Sequence, residues 1–257
     1  MRLSYSQVRQ YLECPRLYEW HYIRKKPVVV DGRLIAGGVY HHGLEYALKR
    51  KMQHELIRAD EIKDVMSDRW DTEVRCDVIE DDRGSGALEV KEVNWKDDKP
   101  GELKAVVLSL GKLYLETMVP TMEPVAVEKK LEGMIGGIPF LGYADVVLPG
   151  PGVIDHKFTT RRMDQGTANK DMQITTYACL LDRPIWGGFH QALDQKKQDI
   201  NVVLTQRGRG DMEWFSRLVE KVAKGIQTGI FPPNPLTWKC AEDNCAYWIE
   251  CRVLMEE

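Results

Sequence analysis

The stretch "FLGYADVVLPGPGVIDHKFTT", residues 140–160, contains two apolar runs divided by a turn rich in proline and glycine. Such runs are typical of two neighbouring β-strands joined by a tight connection. Asp145 lies at the apolar end of the first run, and Asp155 opens the second. Because a hairpin pairs the residues on either side of its turn, we expect both carboxylates at the same edge of a sheet. Lys157 is predicted on the same strand face as Asp155, since side chains alternate along a strand.

These three side chains are suited to phosphodiester hydrolysis. Carboxylate oxygens suit Mg²⁺ or Mn²⁺, which can polarise a phosphate and lower the pKa of a bound water. The ammonium of Lys157 would stabilise or orient the nucleophile. Taken alone, however, the Asp-x-Lys spacing is far more often an ordinary solvated pair at a strand end. The hypothesis therefore depends on the rest of the sequence.

The remaining sequence predicts one α/β domain around this hairpin. Ser4 or Ser6 can cap an N-terminal helix pair that is restarted by Pro15 and ends near Tyr22. A strand precedes the hairpin, and residues 81–100 are polar and turn-rich, which predicts a flexible insertion. Longer helices are predicted over about 34–53, 60–74, 102–117, 169–181 and 212–228, and further strands over about 185–193 and 199–205.

Composition sets broad limits on the class of protein. The chain has 257 residues, 43% of them hydrophobic, which suits one large domain or a domain with an appended lobe. The formal net charge of −3 neither supports nor excludes a nucleic-acid partner. The sequence shows no signal peptide or membrane span, so we expect a soluble, cytoplasmic protein without a membrane partner. It also lacks a Walker-A motif, so ATP-driven unwinding would require a partner.

Four short blocks follow one another in a specific order. They are "GGVYHHGLE" (residues 37–45), "FLGYADVV" (140–147), "VIDHKFTT" (153–160) and "QITTY" (173–177). In this order they resemble the PD-(D/E)XK nuclease superfamily, and specifically its RecB-like exonuclease branch. The resemblance implies a restriction-endonuclease-like core, in which helices flank a mixed central sheet.

The resemblance also implies the ligands of a catalytic metal. They are the side chains of His41, Asp145 and Asp155, with the main-chain carbonyl of His156 as a further ligand. An imidazole among oxygen ligands makes Mn²⁺ at least as suitable as Mg²⁺. His42 is the alternative to His41, but it lies one residue out of the family's register.

Catalytic roles follow from the same resemblance. Lys157 would act on the attacking water, beside the catalytic carboxylates Asp145 and Asp155. Gln173 and Tyr177 lie one helical turn apart and share a helix face. The resemblance implies that they contact DNA or help to orient the site, although both could equally be ordinary surface and core residues.

Four of the six cysteines are distributed as one early residue, Cys14, and three late ones, Cys240, Cys245 and Cys251. This distribution resembles the iron–sulfur nucleases of the RecB-like branch, which include the AddB subunit and the CRISPR-associated exonucleases. It implies a structural 4Fe-4S cluster, with tetrahedral zinc as the alternative. Buried free thiols remain a third interpretation. Some relatives have a two-residue gap between the first two late cysteines, whereas here the gap is four residues.

The predicted organisation is a single nuclease domain over residues 1–257. Residues 1–33 and 229–257 would together form the iron–sulfur lobe, and residues 34–228 the nuclease core. The other two cysteines, Cys76 and Cys179, are interpreted as ordinary residues.

The sequence thus predicts a metal-dependent DNA nuclease, an exonuclease acting on single-stranded DNA or DNA ends in recombination, repair or DNA processing. A helicase or recombination protein would be a suitable partner. Two alternatives stay open at this point. One is a catalytically idle DNA-binding or assembly subunit, and the other is a zinc-stabilised nucleic-acid-binding module. Arg161 and Arg162, just after the second strand, are candidates for phosphate contacts.

Overall fold

A computed structural model of the chain describes residues 1–75, 78–81 and 86–253. Nine strands form two sheets in this part of the chain: β1 (Leu3–Ser4), β2 (Val28–Asp31), β3 (Val78–Asp81), β4 (Gly86–Asn94), β5 (Ala126–Ile135), β6 (Ile138–Leu148), β7 (Gly152–Thr159), β8 (Ile185–Leu193) and β9 (Asp199–Arg207). The main sheet has six strands in the order β1-β6-β7-β8-β9, with β5 paired to the other edge of β6. It is mixed, since β1 runs parallel to β6 and β7 parallel to β8, whereas the other pairs are antiparallel.

Helices pack on both faces of the main sheet. The α-helices in this part of the chain are α1 (Tyr5–Glu13), α2 (Pro15–Tyr18), α3 (Gly32–Met52), α4 (Ala59–Glu73), α5 (Pro100–Thr117), α6 (Gln165–Lys170), α7 (Met172–Leu180), α8 (Arg209–Gln227) and α9 (Trp248–Val253). Val146 and Ile154 face a core that contains α3, α4 and α5. Val147 and Val153 face a second core with α7. The unbroken apolar runs of β6 and β7 are explained by burial on both faces. The predicted mixed α/β fold is therefore confirmed.

One edge of β6 is shared by two different strands. Leu3 and Ser4 of β1 pair with Phe140 and Leu141, whereas β7 pairs with residues 146–148. Among the described strands, neither partner reaches residues 142–145 on this edge. The sheet therefore opens at Asp145, and the polar groups of that short segment need other partners.

Residues 81–100 differ from the sequence prediction of a flexible insertion. β4 pairs in parallel with β2, with Val29 opposite Glu92 and Val30 opposite Val93. It also pairs antiparallel with β3, which makes a second sheet of three strands. The polar composition of this segment gave no strand signal. Its pairing with β2 joins segments far apart in sequence, which a local pattern does not predict. Residues 82–85 of the predicted insertion lie outside the described residues.

The other predicted elements lie close to their observed positions. The predicted hairpin, β6 and β7, and the strand that precedes it, β5, are confirmed within a few residues. The same holds for β8, β9 and the long helices. The helix predicted over 169–181 is divided at Asp171, whose carboxylate caps α7 by accepting a hydrogen bond from the Gln173 main-chain nitrogen at 2.7 Å. Ser4 caps α1 as predicted, and Pro15 begins α2.

The two ends of the described chain contact each other. The hydroxyl of Tyr11 donates to the carbonyl of Ile230 at 2.8 Å, and that of Tyr247 to the carbonyl of Pro27 at 2.8 Å. The Asn234 amide donates to the carbonyl of Glu13 at 2.9 Å. Within the described ranges, no helix combines the length and the apolar character that crossing a membrane requires.

The turn between β5 and β6 provides a test of this packing. Gly136 (φ 57°) and Gly137 (φ 74°) form a two-residue connection, and both have left-handed backbones. A Cβ on Gly136 would lie 2.2 Å from the Ser216 carbonyl oxygen in α8, whereas a Cβ on Gly137 would have open space. Gly137→Ala should therefore cost only the backbone strain of about 1–2 kcal/mol. We expect Gly136→Ala to lose about 1–3 kcal/mol more, because of overpacking.

Urea denaturation of the two variants measures this difference in the free energy of unfolding. Equal losses for the two alanines would show that α8 does not pack against the turn as described.

Candidate active site

The opening in the sheet brings two carboxylates and a histidine together. Asp145 and Asp155 are buried on adjacent strands at the point where β6 and β7 separate. The Asp145 carboxylate accepts a hydrogen bond from the main-chain nitrogen of His156 at 2.7 Å. Nδ1 of His41, on α3, lies 3.4 Å from the same oxygen. The structure thus places His41, rather than His42, beside Asp145.

A polar network connects Asp155 to helix α7. The Lys157 ammonium lies 2.7 Å from Oδ2 of Asp155 and donates to Oε1 of Gln173 at 2.7 Å. The amide of Gln173 in turn donates to the Tyr177 hydroxyl at 2.9 Å. That hydroxyl lies 2.8 Å from the carbonyl oxygen of Tyr143 and 3.2 Å from Oδ1 of Asp155. Tyr177 therefore supplies a hydrogen bond inside the segment of β6 that lacks a strand partner on this edge.

Burial sets the charge balance of the pair at the centre of this network. It raises the pKa of Asp155, and the Lys157 ammonium opposes that rise. Burial is the largest single effect on Lys157 and acts to lower its pKa, but the nearby carboxylates, Asp155 foremost, together outweigh it and raise the pKa above its ordinary value. Lys157 is consequently held as an ammonium ion against a buried carboxylate.

The donor set of the site fits a divalent cation. Oδ2 of Asp155 is fully buried with the Lys157 ammonium 2.7 Å away, and a carboxylate oxygen has two lone pairs, so it keeps the capacity to bind a further ligand. Within the described residues, ligand atoms of His41, Asp145 and His156 also lie within 4.8 Å of one another. Burial, together with the charge of His41, lowers the pKa of His156 well below its ordinary value. Its imidazole is therefore neutral, so the ring of His156 is a candidate ligand in addition to the main-chain carbonyl that was predicted.

Two buried residues behind the site were not found from the sequence. The Tyr114 hydroxyl on α5 lies 2.8 Å from Nε2 of His156 and 2.7 Å from Nδ1 of His190 on β8. Burial lowers the pKa of His190 to about 4. The sequence around Tyr114 and His190 does not reveal these contacts, because the partners come from three separate segments of the chain. The hydrogen bonds from Tyr114 to the two histidines fix the ring of His156, which lies on the side of the sheet opposite Lys157 because neighbouring residues of a strand point to opposite faces.

Arg207, at the end of β9, was also missed. Its side chain is buried, with only 3% of the residue exposed, and all five guanidinium N–H groups have acceptors within the protein. Two of these acceptors are the carbonyls of Ala168 and Asp171, at the break between α6 and α7. Others are the hydroxyls of Thr175 and Thr205. Arg207 thereby fixes the start of the helix that carries Gln173.

Arg162, which was predicted to contact phosphate, already has partners within the protein. Its guanidinium contacts Asp199 at 2.6 Å and Asn201 at 2.5 Å. Arg161 is exposed just after β7, and its carbonyl accepts from the amide of Gln191.

The four cysteines of the predicted cluster lie together in a separate cavity. Cys14, Cys240, Cys245 and Cys251 line one cavity of about 260 Å³. Burial raises the pKa of Cys245 and of Cys251, and the nearby cysteines add to both increases. Cys179 lies elsewhere, with its sulfur 3.7 Å from the carbonyl of Met212. Cys76 lies outside the described residues.

Comparison with known proteins agrees with this geometry. The family model of the PD-(D/E)XK nuclease superfamily matches residues 2–252, so the chain belongs to that superfamily. No curated protein matches the sequence. The fold is similar to the crystal structure of a "Putative exonuclease" from Eubacterium rectale, with a TM-score of 0.56 and 14% identity over 98% of this chain and 87% of the other.

Arg207→Met tests whether the buried guanidinium holds this side of the site. The substitution leaves its carbonyl and hydroxyl acceptors without donors inside the protein, so we expect a loss of about 2–4 kcal/mol in the free energy of unfolding. Arg209→Met is the matched control, because Arg209 is exposed and contacts Asp182 only at 3.8 Å. It should change stability by less than about 0.5 kcal/mol. Similar urea midpoints for both variants would contradict the assignment.

Proposed function

We propose that the protein is a metal-dependent DNA nuclease of the RecB-like branch. The observation that carries the proposal is the convergence of His41, Asp145, Asp155 and Lys157 at the opening between β6 and β7. Two carboxylates and an imidazole offer ligands for a divalent cation, and a lysine is held beside them. This is the equipment that hydrolysis of a phosphodiester requires.

Each side chain would have a separate task. His41, Asp145 and Asp155, with the main-chain carbonyl of His156, would hold Mg²⁺ or Mn²⁺. When bound, the cation would polarise the phosphate and lower the pKa of a water. Lys157, fixed by Asp155 and the Gln173 amide oxygen, would orient that water or stabilise developing negative charge. Gln173 and Tyr177 would keep the lysine and Asp155 in place.

Exonuclease action on single-stranded DNA or DNA ends is the substrate class that we propose. It is supported by the sequence resemblance to the RecB-like branch, as is a role in DNA repair, recombination or processing with a helicase or recombination partner. A catalytically idle DNA-binding or assembly subunit is the alternative. The pairing of Lys157 with the buried Asp155 carboxylate favours an active enzyme, because a buried carboxylate without a function would carry the cost of burying its charge.

We also propose that the four cysteines hold a 4Fe-4S cluster that joins residues 1–33 to residues 229–257. Tetrahedral zinc, with Zn–S distances of about 2.3 Å, would place its sulfurs about 3.8 Å apart. Among the described residues, no three cysteine sulfurs lie within 4.8 Å of one another. This spacing of the sulfurs favours a cluster over a single ion.

Cleavage of end-labelled single-stranded DNA with Mn²⁺ or Mg²⁺ tests the proposed activity. Asp155→Asn and Lys157→Met should each lower kcat by about 10²–10⁴-fold, because metal binding or activation of the water is lost. Lys99→Met is a suitable control, since Lys99 is exposed and pairs only with Glu102 across one helical turn. Wild-type protein that binds DNA without cutting it would move the idle-subunit alternative to first place.

Substitution of single cysteines tests the cluster independently of cleavage. After purification without air, Cys251→Ser should lose most of its iron and its visible absorption, because one of four thiolate ligands is removed. Cys179→Ser should keep the iron content of the wild type, since Cys179 lies outside the cavity. Stoichiometric zinc in place of iron in the wild type would establish the zinc alternative.

A further inference from the structure

The cysteine cavity contains an unexplained hydrogen-bond donor. Trp20 lines the cavity and is 1% exposed, and its Nε1–H has no hydrogen-bond partner among the described residues. Buried indole N–H groups usually find an acceptor, since leaving a donor unsatisfied costs about 1–3 kcal/mol. A donor of this kind beside four thiols points to an acceptor that occupies the cavity.

The ring of Trp20 is held firmly by its neighbours. Tyr247 packs edge-on against it, with ring centroids 4.9 Å apart, and the Lys26 ammonium lies 4.7 Å from the ring centroid. The residue belongs to a π-helical segment, Glu19–Ile23, a rare conformation that is frequent at functional sites. Arg16 and Arg24 each contact the buried carboxylate of Glu19 at 2.7 Å. The segment thus fixes the indole against the cavity.

The surroundings offer the indole few other acceptors. Much of the remaining lining is apolar or has side chains that only donate: Leu17, Pro233, Pro235, Arg16 and Arg252. The Thr237 hydroxyl also lines the cavity, and it already accepts from the Lys239 main-chain nitrogen at 3.4 Å. Cysteine thiolates and inorganic sulfides, in contrast, are acceptors, and hydrogen bonds to them are among the features that set the reduction potential of an iron–sulfur cluster.

We propose that the indole N–H of Trp20 donates a hydrogen bond to a sulfur of the cluster held by Cys14, Cys240, Cys245 and Cys251. The inference rests on the proposed cluster and assigns Trp20 a role that a purely apolar wall would not have. Because a donor stabilises the additional negative charge of the reduced cluster, it raises the reduction potential. Trp20 is therefore a positioning and tuning residue for the cluster, not a ligand.

Trp20→Phe tests the proposal, because phenylalanine keeps an aromatic ring in the wall but removes the N–H. The matched control is Trp248→Phe, since Trp248 lines the same cavity, is only half-buried and stacks on Arg252 at 4.1 Å. In redox titrations of anaerobically purified protein, Trp20→Phe should shift the potential to more negative values. The shift in Trp248→Phe should be clearly smaller. Equal shifts, or none in Trp20→Phe, would overturn the proposal.

A second measurement detects the hydrogen bond in the wild-type protein and uses Trp20→Phe to assign its donor. Resonance Raman spectra of the wild-type cluster in H₂O and D₂O should differ in the iron–sulfur stretching bands, and Trp20→Phe should reduce that difference. Identical wild-type spectra would overturn the proposal. Wild-type protein without iron would overturn it as well, whereas the nuclease proposal would still be decided by DNA cleavage.

Discussion

The structure depends on the sharing of one edge of β6 between β1 and β7. Both strands pair with this edge, but they leave residues 142–145 between them without a strand partner there. Buried peptide groups require hydrogen bonds, so side chains must replace the missing strand. The Tyr177 hydroxyl approaches the Tyr143 carbonyl, and the Asp145 carboxylate accepts from the His156 main chain. The gap that these groups fill is the place where the candidate ligands meet.

The position of α7 follows from the same constraint. Tyr177 reaches β6 from α7, which begins after its cap Asp171, and Arg207 fixes the break before this helix through two main-chain carbonyls. Gln173 is then one turn before Tyr177 and accepts a hydrogen bond from Lys157. The lysine is consequently oriented by structural hydrogen bonds as well as by its charge pair with Asp155. Fold and proposed chemistry therefore use the same side chains.

The sequence predicted the parts of this arrangement that are local. Two apolar runs and a Pro-Gly turn placed Asp145, Asp155 and Lys157 on adjacent strands, and family motifs added His41, Gln173 and Tyr177. Long-range contacts could not be predicted in this way. The pairing of β2 with β4, the contact of Tyr114 with two histidines and the hydrogen bonds of Arg207 to the segment 168–175 all join distant parts of the chain. A single sequence gives no local pattern for such contacts.

Mn²⁺ binding, followed by electron paramagnetic resonance, tests the central claim most directly, because it reports on the opening between β6 and β7 without any assumption about the DNA substrate. Wild-type protein should bind Mn²⁺, and Asp145→Asn should weaken that binding strongly while far-ultraviolet circular dichroism stays unchanged. Unaltered Mn²⁺ affinity in a folded Asp145→Asn protein would contradict the assignment of this opening as the metal site.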